Sequence, residues 1–266
     1  MNTRTPVVIA ASLGACALAL GAAVPASADD DKATISVFHA VPGLTVDVYA
    51  NGDELIPDFK PGTLTEPQSL PAGSYDLKVF KAGADPKGAP ALQKTVDVPA
   101  GANATVVAHL SADGEPRLDA FVNDVSKVPA DKARLTVRHV AAAPAVDVRA
   151  GGQPLFEGLT NPNQDSAVVD AGTVSADVVL AGTDTVAIGP ADLDLKEGTS
   201  NVVYAWGSAA DKDLALKVQT LDGAYASPSA MQSGLVPGFN DANAWVAYAA
   251  GAGLLAVAGT LAARRS

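Results

Sequence analysis

Two histidines and two aspartates are the residues whose types and spacing could do chemistry in this chain. His39 is followed by Asp47, and the same pair recurs one hundred residues later as His139 and Asp147. An imidazole and a carboxylate within hydrogen-bond reach can act as a general-base pair, and both groups can ligate a divalent metal. These four residues are therefore the candidate binding residues of the sequence.

The local pattern predicts that the two side chains of each pair point in opposite directions. His39 continues an alternation of apolar residues that begins at Ile35, so its imidazole is expected to face the core of a strand pair. Asp47 stands between two valines, so its carboxylate is expected to face solvent, and the second copy repeats both patterns. The pattern favours a histidine bonded to the backbone of the following loop and a surface aspartate that supports a turn. A ligand or metal site is the alternative, and catalysis is the least favoured.

Known catalytic motifs do not occur in the sequence. It contains no G-x-S-x-G nucleophile elbow, no phosphate-binding loop, no H-E-x-x-H zinc motif and no EF-hand loop. The third histidine, His109, has no counterpart in the second copy. We therefore expect no enzymatic activity, no cofactor and no metal.

Aromatic residues make up only 5% of the chain. Those that could stack on a sugar ring from predicted strands are Tyr75, Phe80, Tyr204 and Trp206. Scattered aromatic residues on strands more often belong to a core, and we expect that role for these four.

Short apolar alternations separated by turn residues predict strands through the middle of the chain. Asn51-Gly52 lies between two such runs and is a strong hairpin signal, because both positions of the turn require a positive φ. About eight strands fit each copy, and no helical period occurs. The predicted fold class is all-β: two tandem immunoglobulin-like antiparallel β-sandwich domains at residues 34–122 and 134–221, joined by a polar linker at 123–133.

A longer motif surrounds each candidate pair. In the first copy it comprises Val37, His39, Ala40, Pro42, Val46, Asp47, Val48, Tyr49, Gly52 and residues 71–75. In the second copy it comprises Val137, Arg138, His139, Pro144, Val146, Asp147, Val148, Gly152, Ala171 and Gly172. This motif resembles that of the bacterial domain of unknown function 4397 family. The second copy departs from it at Val140, Arg149, Asp170 and Val174. The resemblance implies an exported, envelope-associated protein that often carries tandem copies, and it implies no established activity.

The first 28 residues are typical of a secretory signal peptide. Arg4 provides the positive charge, an apolar segment follows, and residues 26–28 form an A-x-A cleavage site. Cleavage between Ala28 and Asp29 would leave residues 29–33 as an acidic mature N-terminus.

Cys16 is the only cysteine and would leave with the signal peptide. Its loss excludes disulfides and thiol chemistry in the mature protein. The alternative is a lipidated Cys16 within a lipobox at residues 13–16. It is disfavoured because the apolar run continues past the cysteine.

Residues 244–263 predict a transmembrane helix, since about 20 uncharged residues are enough to cross the hydrocarbon layer. Arg264 and Arg265 make residues 264–266 a basic tail, which predicts a cytoplasmic C-terminus and an extracytoplasmic body. Residues 222–243 are rich in Ser, Pro and Gly and predict a flexible stalk. The alternatives are a buried or interfacial helix, or processing at a sorting signal, for which residues 235–239 are only a partial match.

The charge of the chain limits its partners. Asp and Glu number 29 against 18 Lys and Arg, which argues against binding to nucleic acid. The sequence thus predicts a non-enzymatic cell-surface protein with a structural or adhesion-like role. We expect this protein to be anchored in the cell membrane and to bind an envelope protein or a glycan. The alternative is a ligand-binding or sensing ectodomain for a glycan or a divalent metal.

Overall fold

A computed structural model describes residues 32–223 of the chain. The predicted signal peptide, transmembrane helix and basic tail lie outside the described residues, as does all but the first two residues of the stalk. Within the described range, no helix is long and apolar enough to cross a membrane.

The first half of the described chain folds into eight strands. They are β1 Lys32–Ala40, β2 Val46–Ala50, β3 Asp53–Phe59, β4 Gln68–Pro71, β5 Gly73–Lys81, β6 Leu92–Val98, β7 Asn103–Leu110 and β8 Pro116–Val122. The second half repeats this order. Its strands are β9 Lys132–His139, β10 Val146–Ala150, β11 Gln153–Leu159, β12 Gln164–Asp170, β13 Gly172–Leu180, β14 Val186–Leu195, β15 Ser200–Trp206 and β16 Ala215–Leu221. The all-β prediction is confirmed for this part of the chain.

Each half forms a sandwich of two four-stranded sheets. In the first sandwich the strand orders are β4-β1-β7-β8 and β3-β2-β5-β6. In the second they are β12-β9-β15-β16 and β11-β10-β13-β14. An apolar core fills the space between the two sheets of each sandwich, as alternating inward residues require.

Most neighbouring strands pair antiparallel, as expected. The pairs β1–β7 and β9–β15 differ from this expectation, because both are parallel. The predicted turn at Asn51-Gly52 has both residues at positive φ, 54° and 95°, and Ala50 pairs with Asp53 across it.

The two sandwiches pack against each other through a third core. We call it the inter-sandwich core. Its buried members are Phe38, Ala40, Val107, Val140, Val202, Tyr204 and Leu221. The first three lie on the outer face of the β4-β1-β7-β8 sheet, and Val202 and Tyr204 lie on β15 of the second sandwich. The four sheets therefore form one continuous stack, with buried apolar layers between all of them.

Candidate functional site

The two repeated histidines lie inside their sandwiches, as the alternation predicts. His39 and His139 are each 1% exposed. The Nε2 atom of His39 lies 2.6 Å from the carbonyl oxygen of Leu44, and that of His139 lies 2.9 Å from the carbonyl oxygen of Pro144. Each ring therefore holds the loop that joins the first two strands of its sandwich.

The hydrogen bonds of His39 fit a neutral imidazole. A carbonyl oxygen only accepts, so Nε2 carries the hydrogen, and Nδ1 then accepts from the amide of Val41 at 3.4 Å. Burial lowers the pKa of His39, and the Leu44 carbonyl opposes this shift only in part. The pKa of His139 is also lowered, first by burial and further by the nearby charge of His109.

The lowered pKa values of His39 and His139 predict that stability depends on pH near neutrality. Each histidine has a lower pKa when folded than its unfolded value of about 6.5, so the unfolded chain binds protons more readily. This contribution to stability is fully present above about pH 6.5 and is lost as the pH falls below it. We expect the melting temperature to fall between pH 7.5 and pH 5.5. The melting temperature of the double variant His39→Gln/His139→Gln should fall less steeply over the same pH interval. An unchanged dependence of the melting temperature on pH would show that the two histidines are not its cause.

Each of the two aspartates accepts hydrogen bonds from one strand amide and one loop amide. Asp47 accepts from the amides of Asp58 and Gly83, at 2.8 and 2.9 Å. Asp147 accepts in the same way from Gly158 and Gly182, at 2.7 and 2.8 Å. These two amides hold the pKa of Asp147 below its usual range. We call each arrangement an aspartate clamp, because one carboxylate joins an edge strand, β3 or β11, to the loop that follows β5 or β13.

The solvent-facing prediction for Asp47 needs correction, because the residue is only 7% exposed. The pairing of β2 with β3 shifts register between Val46 and Val48, and Asp58 takes a positive φ of 47°. This bulge turns a backbone amide towards the carboxylate. The predicted role of Asp47 as support for a turn agrees with this geometry.

Loss of the first aspartate clamp should destabilise the fold. In Asp47→Ala the amides of Asp58 and Gly83 lose their acceptor, and we expect the free energy of unfolding to fall by about 2–3 kcal/mol. Asp53→Ala, at an exposed position of the neighbouring hairpin, should change it by less than about 0.5 kcal/mol. Urea unfolding of both variants measures the difference. Equal stabilities would show that the clamp contributes nothing.

The candidate pairs do not form dyads. The ring of His39 is bonded to the backbone of the β1–β2 loop, whereas the carboxylate of Asp47 is bonded to other backbone amides. His139 and Asp147 likewise bond to different backbone groups and not to each other. Among residues 32–223, no group of three or more His, Cys, Asp or Glu side chains could hold a metal ion.

A histidine–carboxylate pair that the sequence did not predict lies at the end of β7. The Nε2 atom of His109 lies 2.9 Å from the Asp119 carboxylate, which also accepts from Lys94 at 2.7 Å. The Nδ1 atom of His109 lies 2.8 Å from the carbonyl oxygen of Leu110, and the side chain is 0% exposed. Both ring nitrogens are thus occupied, so this ring has none left to take a proton from a substrate. Only the pairing of β7 with β8 brings these residues together, and no local sequence pattern signals it.

The aromatic residues that could have stacked on a sugar are largely enclosed. Phe80 and Tyr204 are 2% and 0% exposed, in agreement with the expected core role. Trp206 is half-buried and packs on the inter-sandwich core, and Tyr75 is half-buried beside the core of the first sandwich.

Arg138 is the most unusual residue of the inter-sandwich core. It is 0% exposed and donates hydrogen bonds to Gln164, to the hydroxyl of Tyr204 and, across the sandwich boundary, to Val122 and Asn123. All of these acceptors are neutral. Burial lowers the pKa of Arg138, and the Tyr204 hydroxyl counteracts this shift. Alternation with the inward residues of β9 places Arg138 on the outer face of its sheet, at the position that Phe38 has on β1, but it does not indicate that this face is buried.

A cavity of about 390 Å³ lies between the two sheets of the first sandwich. All eight strands of that sandwich line it, almost entirely with apolar side chains. They include Ile35 and Val37 of β1, Val46 and Val48 of β2, Ile56 of β3, Leu70 of β4, Leu77 of β5, Val96 and Val98 of β6, Ala108 of β7 and Leu118 of β8. We call it the apolar cavity.

The rim of the apolar cavity lies between the edge strands β3 and β4. Leu55 on β3 lines the cavity and is 44% exposed, and Thr65 and Gln68 lie on the opposite side of the opening. Strand β4 has four residues, whereas the equivalent β12 has seven. Pro67 stands directly before β4 and has no amide hydrogen to donate, which accounts for the shorter ladder.

The two sandwiches distribute the bulk of their core side chains differently. Ile56, Val96 and Val98 are smaller than their equivalents Phe156, Leu193 and Leu195, whereas Phe59, Tyr75 and Leu77 are larger than Leu159, Val174 and Ala176. The space is lined almost entirely by apolar side chains and reaches the surface at its rim, so an apolar molecule could enter it. The apolar cavity is therefore the candidate binding site of the described chain.

The fold and the site define a tandem β-sandwich protein whose repeated polar residues stabilise loops. Residues 33–149 match the model of a family described as Domain of unknown function (DUF4397). The match covers the first sandwich and continues into β10 of the second. No curated protein matches the sequence.

Three solved structures show a distant likeness. The Bacillus anthracis TIE protein is 12% identical with a TM-score of 0.21, and the match covers 65% of this chain and 33% of that one. A Bacteroides ovatus protein assigned provisionally to cell adhesion is 10% identical with a TM-score of 0.24, covering 71% and 97%. The CBM26 module CBMbc of Eubacterium rectale Amy13K, in complex with maltoheptaose, is 12% identical with a TM-score of 0.22, covering 73% and 98%. Likeness at this level carries no argument about function.

Proposed function

We propose that this is an exported, non-enzymatic protein of the cell envelope that presents two immunoglobulin-like sandwiches as one rigid body. The supporting observation is the inter-sandwich core, which buries Phe38 and Tyr204 completely and joins the two halves through Arg138. A rigid tandem unit suits a structural or adhesion-like role, because its two outermost sheets are held at a fixed separation from each other.

The sequence at both ends supports the envelope location. Residues 1–28 have the pattern of a signal peptide, and residues 244–263 have the length and flanks of a membrane anchor. In this proposal the stalk at 222–243 lifts the sandwiches from the membrane, and the partner is an envelope protein or a glycan. The absence of an enzymatic role is supported by the repeated His and Asp residues, whose polar atoms are used by loops of the fold.

Protease treatment of intact cells tests the proposal. Cells that produce the full chain should release peptides from residues 32–223 without lysis, and the retained protein should begin at Asp29. Peptides released only after lysis, or a full-length protein recovered from the medium with residues 244–266 still attached, would overturn it. A cytoplasmic protein of the same cells provides the control for lysis.

A further inference from the structure

We propose that the apolar cavity of the first sandwich binds the hydrocarbon chain of one single-chain amphiphile, such as a fatty acid. This binding activity is independent of the proposed surface role. It follows from the lining, the shape and the rim of the cavity.

The lining favours an uncharged, apolar group inside the cavity. No Asp, Glu, Lys, Arg or His side chain lines the cavity, and the polar groups that do are those of Thr65, Gln68 and Tyr75. The Tyr75 hydroxyl already donates to the carbonyl oxygen of Pro71 at 2.8 Å. A sugar would leave its hydroxyls without hydrogen-bond partners against such walls, and a metal ion would lose its hydration shell without gaining ligands. A hydrocarbon has no hydrogen bonds to lose there.

The shape of the cavity favours a long, thin occupant. Its lining runs from Leu55 on the edge strand β3 to Leu118 on the opposite edge strand β8, across four strands of each sheet. Three strand spacings of about 4.8 Å give a length of roughly 14 Å, and the sheets limit the thickness to one layer of side chains. A 150 Å³ apolar cavity takes up one six-carbon benzene, so 390 Å³ corresponds to roughly 15 carbons. One acyl chain fills this space, and a second chain has no room.

The rim places the polar end of such a ligand in water. Gln68 is exposed and Thr65 is half-buried beside the opening, and Leu55 forms the apolar lip on the other side. A carboxylate at this edge would stay hydrated while the chain lay between the sheets. The hydrocarbon chain of the ligand would then fill the space between the two sheets.

Equilibrium dialysis of the full chain against radiolabelled dodecanoate tests the proposal. The protein is kept soluble with an amphipathic polymer, because a single-chain detergent would compete for the cavity. We expect one saturable dodecanoate per chain. A diacyl phosphatidylglycerol should compete at least tenfold less well than unlabelled dodecanoate. No saturable binding, or equal competition by the two-chain lipid, would overturn the proposal.

Variants of the cavity wall locate the binding. Ala108 lines the middle of the cavity, so Ala108→Phe should insert a ring into the slot and weaken dodecanoate binding at least tenfold without lowering the melting temperature. Val186→Phe, at an exposed position of the second sandwich, is the matched control and should bind as the unaltered chain does. Unchanged binding by Ala108→Phe would overturn the assignment.

A variant at the rim keeps the test decisive if Ala108→Phe does not fold. Leu55 is exposed enough to be replaced without disturbing the core, and Leu55→Glu places a negative charge beside the expected carboxylate. We expect at least fivefold weaker binding of dodecanoate and a smaller effect on the uncharged dodecanol. Equal affinities of this variant and the unaltered chain for dodecanoate would place the ligand elsewhere.

Discussion

Replacement of Arg138 by alanine is expected to lower the free energy of unfolding by about 3 kcal/mol. The guanidinium donates to Gln164, Tyr204, Val122 and Asn123, and its carbon lies 4.8 Å from the centre of the Phe121 ring. The substitution leaves buried acceptors without a donor and opens a void between the sandwiches. Relief of the desolvated charge offsets part of this loss, which is why the expected value is lower than the sum of the lost contacts.

A lysine variant separates the charge of Arg138 from its geometry, and an alanine variant of Arg117 is the control. Arg138→Lys keeps a positive charge but cannot reach the same acceptors with a planar fork, so we expect most of the loss to remain. Arg117→Ala removes a half-exposed arginine that lies 3.6 Å from Asp119, and should cost less than about 1 kcal/mol. Urea unfolding measures all three variants. A loss below 1 kcal/mol in Arg138→Ala would show that the network does not hold the sandwiches together.

Replacement of Phe38 by alanine is expected to cost about 3–5 kcal/mol, because its ring is completely buried. The ring centre lies 4.9 Å from that of Tyr204 and 5.9 Å from that of Trp206, so the loss affects both sandwiches. Water entering the vacated space should also shift the emission of Trp206 to longer wavelength in the folded state. The chain contains a second tryptophan, Trp245, so fluorescence at low denaturant and urea unfolding are measured in a Trp245→Phe background.

Phe59→Ala is the matched control for Phe38→Ala. Phe59 is 5% exposed and packs in the core of the first sandwich, away from the inter-sandwich core. Its loss should cost a similar free energy of unfolding but leave the emission of the folded state unchanged. If both variants shift the emission of Trp206 equally, or if neither variant shifts it, the assignment of Phe38 to the contact between the sandwiches is wrong.

The sequence was sufficient to predict the all-β class of the described residues and the direction of the histidines. Both depend on local rules: a period of two along a strand, and a turn at Asn51-Gly52 that only permissive residues can form. The inward position of His39 follows from the same period. The burial of Asp47 did not follow, because it depends on a bulge in β3 and on the amide of Gly83, which is 36 residues away.

The contact between the sandwiches could not be predicted from alternation alone. Alternation separates the two faces of a strand, but it does not say whether the outer face meets water or another sheet. Phe38 on the outer face is compatible with a contact to another sheet. Arg138, at the equivalent position of the second copy, instead favours a solvated surface. The apolar cavity was hidden for a related reason, since packing density depends on side chains from all eight strands at once.

The inter-sandwich core makes the two sandwiches complementary and not interchangeable. Positions 38 and 138 are equivalent in the two sandwiches, yet one is a phenylalanine and the other an arginine, and both contact Tyr204. A second copy of either sandwich could not supply both groups to this layer. Separation of the two would expose Phe38, Val107 and Tyr204 to water, so each sandwich needs the other to cover its outer face.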